Sequence, residues 1–193
     1  MRIAIIGWGS LIWDLEILAP QVAGDWRMGA GPMFPLEFSR ISPKRKMGLA
    51  VCLDPENGDQ CPTHAIASIR DVLEEAVEDL AARERAPVSR IGWATAQESF
   101  GRLAPVNDLA MAWCAASDEF DACLWTDLEP NFEEREGIPF TVPDAIAYLR
   151  TLDAEQIEEA HLYIEEAPPA TDTPLRRALD EDAWWRGLRS ARG

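Results

Sequence analysis

Short apolar runs of strand length dominate the first third of the chain. Residues 2–6 and 47–53 are almost continuously apolar, which predicts buried strands. Residues 35–42 alternate apolar and polar positions only roughly, and residues 63–70 contain the apolar string Ala65-Ile66-Ala67; we expect strands there as well. Asn57-Gly58 favours a tight turn ahead of the strand at 63–70.

A clear helical period begins after these strands. Apolar residues recur every three to four positions over residues 71–84, and Asp71 with Glu74 fits a capping box at the helix start. Residues 15–31, by contrast, mix polar residues with Pro20 and several glycines, which predicts a loop that contains one helical turn. The sequence therefore predicts several strands first and a long helix only from residue 71.

The second half of the chain is predicted to be mostly helical. Its predicted elements are strands at 91–96 and 121–128, a helix at 105–116 capped by Asn107, and helices at 143–152, at 153–166 and from Thr173 on. Strands early and helices late indicate an α+β chain. For 193 residues we expect a single domain, in which residues 1–100 form the core and residues 101–193 a helix-rich part that completes or caps it.

Net charge narrows the choice of partners. The chain has 34 acidic and 18 basic residues and a net charge of -16, so it would repel both nucleic acid and an anionic membrane surface. Its apolar runs are far shorter than the ~20 residues of a membrane-spanning helix, and Arg2 with the run behind it does not make a signal peptide. We expect a cytoplasmic protein with neither nucleic acid nor membrane as a partner.

Cysteine and histidine form no recognisable reactive centre. The four cysteines contain no CxxC pair and three of them lie in apolar runs, so we expect reduced, structural thiols. His64 and His161 are the only histidines, and they stand in no metal-binding spacing. We therefore expect no metal site and no nucleophile activated by a histidine.

The segment that follows the first strand is the candidate ligand site, Gly7-Trp8-Gly9-Ser10-Leu11-Ile12-Trp13. Two glycines two positions apart let the backbone turn sharply and bring its N–H groups close to a bound group. Ile12 stands where a dinucleotide-binding loop has its third glycine, which disfavours a Rossmann fold. Two interpretations remain. The segment is a tight turn with Trp8 and Trp13 in the core, or a loop that offers N–H groups and the Ser10 hydroxyl to an anion or oxyanion.

Residues 6–13 resemble the Gly-Tyr-Gly-Ser-Leu-Ile-Trp opening of the gamma-glutamylcyclotransferase-like superfamily, most closely its glutathione-specific branch. The resemblance extends over residues 2–96 and implies a small mixed β-barrel with flanking helices, to which this chain adds C-terminal helices. In that family the loop binds the gamma-glutamyl group of the substrate. The resemblance assigns this role to the matching residues Trp8, Gly9, Ser10 and Leu11. Arg40, on the strand at 35–42, lies within the resemblance and is a further candidate for substrate binding.

A catalytic glutamate is the second element of that family. Leu80-Ala81-Ala82-Arg83-Glu84 resembles it in order and position, so the resemblance assigns Glu84 as the general acid/base. Glu136, in Glu134-Arg135-Glu136-Gly137, carries the same short motif and is the alternative. The implied reaction cleaves a small gamma-glutamyl amine or peptide to 5-oxoproline, by attack of the substrate's own α-amino group on its gamma-carbonyl. It needs a carboxylate that moves protons and no metal or organic cofactor.

Two departures from the family pattern leave other functions open. Trp8 replaces the tyrosine of the loop, and Pro87-Val88-Ser89-Arg90 stands where a Gly-Tyr element is expected. A binding or regulatory module that keeps the pocket without turnover is therefore the alternative to an enzyme of the lyase or transferase type. A Rossmann-type oxidoreductase is a third hypothesis, which a parallel sheet behind Gly7 would favour.

Overall fold

The computed structural model describes residues 1–190 of the chain. The strands are β1 (Ile3–Gly7), β2 (Val22–Arg27), β3 (Met33–Ser42), β4 (Gly48–Leu53), β5 (Asp59–Pro62), β6 (His64–Ser68), β7 (Ile91–Thr95), β8 (Ser99–Phe100) and β9 (Ala122–Thr126). The helices are α1 (Leu73–Glu84), α2 (Ala104–Ala116), α3 (Phe132–Glu136), α4 (Val142–Leu149), α5 (Ala154–Glu166), α6 (Pro174–Glu181) and α7 (Ala183–Ser190). The predicted α+β class is confirmed.

The contacts of the chain divide it into two compact units. The first unit consists of Met1–Phe34 and Pro62–Leu128, and the second begins with Pro35–Cys61 and resumes at Glu129. Each unit therefore contains segments from both halves of the chain. Neither unit begins or ends at residue 100, where we expected the core to give way to a helix-rich part. That the 193 residues act as one domain stays a prediction.

The first unit is built on a six-stranded mixed sheet in the order β2-β6-β1-β9-β7-β8. β1 runs antiparallel to β6 and parallel to β9, and β9 runs antiparallel to β7. The order has two ends, β2 and β8, so the strands of the described chain form no closed barrel and the expected small β-barrel is not observed. The sheet is also not the parallel sheet that a Rossmann fold requires, which removes the support for an oxidoreductase of that type.

One face of this sheet forms its hydrophobic core with α1. Ile3 and Ile5 of β1 point to this face together with Ile66 and Leu124 of the neighbouring strands, because alternate residues of a strand share a face. The apolar stripe of α1 covers them with Ala76, Val77, Leu80 and Ala81. Fully burying an isoleucine or leucine stabilises a fold by about 1.5–3 kcal/mol, so this layer accounts for the position of α1.

The opposite face of the sheet carries α2. Cys114 of α2 lies against β9, with its Sγ 3.6 Å from Cys123 Sγ and 3.4 Å from the carbonyl oxygen of Ala94. All four cysteines are buried free thiols. They contribute to the interior as small hydrophobic side chains.

The second unit contains a three-stranded sheet in the order β4-β3-β5. α5 packs against β4 at a close approach, since a Cβ on Gly48 would lie 2.9 Å from Ala160 Cβ. α4 contacts α6, and α6 contacts α7. The carboxylate of Glu37 on β3 is wholly buried and accepts a hydrogen bond from the backbone N–H of Leu175 at 3.0 Å, which holds the start of α6.

The predicted turn at Asn57-Gly58 is present in the second unit and connects β4 to β5. Asp54 organises it: one carboxylate oxygen accepts the backbone N–H groups of Glu56 and Asn57, at 3.1 and 3.0 Å. Ser39 Oγ donates to the other carboxylate oxygen at 2.6 Å. The backbone N–H of Gly58 donates to the carbonyl oxygen of Asp54 at 2.9 Å, which closes the turn.

Several local expectations were wrong at element ends. α1 begins after Val72 without a side-chain cap, so Asp71 and Glu74 form no capping box. Asn107 lies inside α2 rather than at its start, and its side-chain amide donates to the carbonyl oxygen of Gly101. The segment predicted as a loop at 15–31 contains β2 as well as a 3-10 turn over Glu16–Gln21.

Candidate functional site

The glycine loop, residues 7–13, leaves the sheet at the end of β1. Ser10–Ile12 forms one turn of 3-10 helix, entered through Gly9 with φ -134° and ψ -140°. The backbone N–H of Ile12 donates to the Gly9 carbonyl oxygen, and that of Asp14 donates to the Ser10 carbonyl oxygen, both at 2.9 Å. The loop is therefore folded by its own main-chain hydrogen bonds.

The aromatic residues of the glycine loop have opposite environments. Trp8 is 6% exposed and meets Phe34 edge to face, with ring centroids 5.8 Å apart, whereas Trp13 is 38% exposed. Leu11 is buried in the core between the sheet and α1. The interpretation of both tryptophans as core residues is thus right for Trp8 and wrong for Trp13.

Gly7 is closely packed by two neighbouring side chains. A Cβ at this position would lie 2.8 Å from Cη2 of Trp26 and 3.0 Å from Cδ1 of Ile12. Both distances are shorter than carbon–carbon van der Waals contact, so a larger residue would displace the indole or the loop. The ring of Trp26 therefore lies directly over the point where β1 becomes the glycine loop.

Glu84 is the last residue of α1, and its side chain is 15% exposed. Arg83 donates from Nη1 to Glu84 Oε1 at 2.6 Å and from Nη2 to the Asp14 carbonyl oxygen at 2.5 Å. Because the backbone N–H of Asp14 in turn donates to Ser10, one guanidinium connects Glu84 to the residue that closes the glycine loop. Both hydrogen bonds come from the charged guanidinium, and a charged donor makes a hydrogen bond about twice as strong as a neutral donor does.

His64 is a buried residue of this region that no sequence motif identifies. It faces Gly7 in the antiparallel register of β1 and β6, and it is 1% exposed. The backbone N–H of Gly29 donates to its Nδ1 at 2.8 Å, while burial lowers the pKa of the imidazole. Its position near the start of a predicted strand could be read from the sequence. The strand pairing that places it opposite Gly7 could not.

Arg40 and Glu136, the other candidate residues, belong to the second unit. Arg40 lies on β3, and its Nη1 donates to the carbonyl oxygen of Glu129 at 2.6 Å. Glu136 ends the short helix α3 with an exposed side chain. Trp8, Gly9, Ser10, Leu11 and Glu84 are all in the first unit, where the link through Arg83 and Asp14 joins the loop to the carboxylate.

The described part of the chain contains neither a membrane-spanning helix nor a cluster of metal ligands. Over residues 1–190 no helix is both long and apolar enough to cross a membrane. Among the same residues, no group of three or more His, Cys, Asp or Glu side chains is arranged to hold a metal ion.

The chain was also compared with known proteins. No protein-family model, curated protein or solved structure matches it.

Proposed function

We propose that this protein is a gamma-glutamylcyclotransferase-like enzyme, which cleaves a small gamma-glutamyl amine or peptide to 5-oxoproline with Glu84 as general acid/base. The proposal extends the resemblance of residues 2–96 to a chain whose sheet is open rather than a closed barrel. We expect the substrate to be a small molecule, because the charge of -16 disfavours nucleic acid and anionic surfaces as partners.

The observation that carries the proposal is the guanidinium of Arg83. It binds Glu84 and the Asp14 carbonyl oxygen together, so the carboxylate at the end of α1 is tied to the loop that resembles a gamma-glutamyl-binding loop. A base has to lie within hydrogen-bond reach of the proton that it removes, directly or through one water. Glu84 is partly buried and is joined to the loop through Arg83 and Asp14, whereas Glu136 is exposed and belongs to the second unit, so the arrangement supports Glu84 over Glu136.

The proposed reaction needs two proton movements. The α-amino nitrogen attacks the gamma-carbonyl carbon, and a new C–N bond closes the five-membered ring. The carboxylate of Glu84 takes the proton that the attacking nitrogen loses, and passes it to the leaving amine as the old C–N bond breaks. Holding the substrate in its ring-closing shape removes much of the entropic barrier, which is the role proposed for Trp8, Gly9, Ser10 and Leu11.

Glu84→Gln tests this proposal. The amide keeps an oxygen for Arg83 but cannot shuttle the proton, so we expect the rate of 5-oxoproline formation to fall at least about 100-fold, as removal of a general acid/base does. The purified protein would be incubated with glutathione, gamma-glutamyl amino acids and gamma-glutamyl-lysine, and 5-oxoproline measured by chromatography.

Glu136→Gln is the matched control, because it makes the same change in the other Arg-Glu motif. We expect it to leave the rate unchanged. Equal rates for the Glu84→Gln variant and the unaltered protein would refute Glu84 as the acid/base, and no 5-oxoproline from any of the substrates would refute the enzyme.

A binding module that uses the same residues is the second candidate. The ion pair favours it, since Arg83 already occupies Glu84 Oε1 at 2.6 Å and a substrate amine would have to compete for this carboxylate. Binding of 5-oxoproline or a gamma-glutamyl peptide, measured by calorimetry without any turnover, would identify this function.

A further inference from the structure

Two of the four free cysteines touch where α2 packs against the six-stranded sheet. Cys114 Sγ lies 3.6 Å from Cys123 Sγ, and both residues belong to the first unit. A disulfide bond is about 2.05 Å long, so the two sulfurs would have to move about 1.5 Å closer. Rotation of the two side chains about their Cα–Cβ bonds covers such a distance. The contact therefore places two thiols where a disulfide bond can form.

The fold holds Cys123 more firmly than Cys114. Cys123 lies in the middle of β9, opposite Ala4 of β1 on one side and Ala94 of β7 on the other. Cys114 lies in the last turn of α2, two residues before the helix ends at Ala116. The last carbonyl groups of a helix have no partner within the helix, so its final turn adjusts more easily than an interior strand does. Cys114 is thus the partner that can move.

Cys114 is also the sulfur that an oxidant meets first. It is 5% exposed, whereas Cys123 is fully buried. The hydrogen bond with Cys123 lowers the pKa of the Cys114 thiol, and burial raises the pKa of Cys123. The thiolate rather than the thiol is the reactive form of cysteine. The two sulfurs therefore suit the unequal roles of an attacking and a resolving cysteine.

Cys52 and Cys61 provide a comparison within the same chain. They are nine positions apart, as Cys114 and Cys123 are, so the two pairs are alike in an unfolded chain. In the folded chain Cys52 lies on β4 and Cys61 on β5, with β3 between them, and two strand spacings separate them by about 10 Å. Burial raises the pKa of Cys52 to about 12 and that of Cys61 to about 11. Only the fold distinguishes the pair at α2 from this one.

We infer that Cys114 and Cys123 are a redox-active pair, which closes to a disulfide when the protein meets a hydroperoxide and reopens with a thiol reductant. The Cys114 thiolate attacks the peroxide: an S–O bond forms, the O–O bond breaks, and the displaced oxygen takes the proton that Cys114 has lost. Cys123 Sγ then attacks Cys114 Sγ. The S–S bond forms, the S–O bond breaks, and the proton of Cys123 leaves with the hydroxyl group as water. Two electrons pass from the thiols to the peroxide, and the inference does not depend on the proposed function.

The disulfide would tie the last turn of α2 to an interior strand of the sheet. A cross-link between residues nine positions apart restricts the unfolded chain, so we expect the equilibrium constant of unfolding to fall at least about tenfold on oxidation. Urea unfolding before and after peroxide, and again after dithiothreitol, measures this change as a reversible rise of the midpoint. A midpoint that stays or falls after the disulfide has formed would contradict a pair that closes without strain.

The main experiment treats the folded, full-length protein with hydrogen peroxide and follows both cysteine pairs in time. The remaining thiols are alkylated in denaturant, and trypsin then releases residues 47–70 and residues 103–135 as single peptides, each with one pair. Mass spectrometry distinguishes a peptide with a disulfide from one with two alkylated thiols. We expect the disulfide in 103–135 to form at least about tenfold faster than the one in 47–70, because only Cys114 and Cys123 are in contact.

The same treatment in urea is the control for sequence spacing. There the two pairs should oxidise at similar rates, since the contact is lost and the spacing is equal. Cys114→Ser should abolish the disulfide in 103–135, and Cys52→Ser should leave its rate unchanged. Similar rates for both pairs in the folded protein, or alkylation of Cys114 and Cys123 after the peroxide is consumed, would overturn the inference. Both results come from the unaltered protein, so they hold even where a serine variant fails to fold.

Discussion

Gly58→Ala is expected to destabilise the protein by about 3 kcal/mol, the upper part of the range for overpacking. A Cβ at this position would lie 2.6 Å from the carbonyl oxygen of Leu36 and 2.7 Å from that of Asp54. Both are main-chain atoms, so relief would require moving β3 or opening the turn that Asp54 organises. Urea unfolding at neutral pH measures the change as a lower midpoint at an unchanged slope.

Gly187→Ala is the matched control for this prediction. Gly187 lies in α7, and no heavy atom is within 4 Å of its Cβ position. Alanine is the better helix former by about 0.5–1 kcal/mol, so the same substitution should stabilise the protein here. If Gly58→Ala lowers the free energy of unfolding by no more than about 1 kcal/mol, β3 moves to accommodate the extra methyl group and the prediction is wrong.

Glu37→Gln is expected to remove a large part of the pH dependence of stability. Burial raises the pKa of the Glu37 carboxyl from 4.5 to about 7, against hydrogen bonds from Phe38, Thr173 and Leu175 that lower the pKa. The folded protein therefore keeps a proton that the unfolded chain loses above about pH 4.5. Stability falls as the pH rises from about 4.5 to about 7, by a total of about 3 kcal/mol for a shift of this size.

The measurement compares urea unfolding at pH 5 and pH 8. The unaltered protein should lose about 2.5 kcal/mol more between these values than Glu37→Gln, which is neutral at both, because a small part of the loss has already occurred at pH 5. Glu56→Gln removes the same charge from an exposed position of the neighbouring turn and should follow the unaltered protein. If both variants lose stability in parallel with the unaltered protein, Glu37 does not titrate in this range.

The elements with strong local patterns were predicted from the sequence to within two or three residues. α1 follows from its apolar stripe, and β4 from a continuous apolar run, because burial of these residues determines both. β2 was missed since Gly24 and Asp25 interrupt it. Its strand conformation comes from pairing with β6, which no local pattern records.

The candidate site was predictable only where it is contiguous in the chain. The glycine loop and Glu84 follow from short motifs, whereas Arg83 was noticed only as part of the Arg-Glu pair. Its role depends on a hydrogen bond to Asp14, 69 residues earlier in the chain. His64 acquires its place from strand register, and Trp26 from the close approach that Gly7 allows. Contacts of this kind depend on the assembled sheet.

The parallel pairing of β1 with β9 has a consequence for synthesis of the chain. Ile3 pairs with Ala122 and Ile6 with Trp125, so β1, which is synthesised first, can form this pairing only after β9 has been synthesised. A nascent or truncated chain that ends before Ala122 leaves one edge of β1 unpaired. Unpaired strand edges promote aggregation, so we expect a chain truncated before Ala122 to aggregate more readily than the full chain.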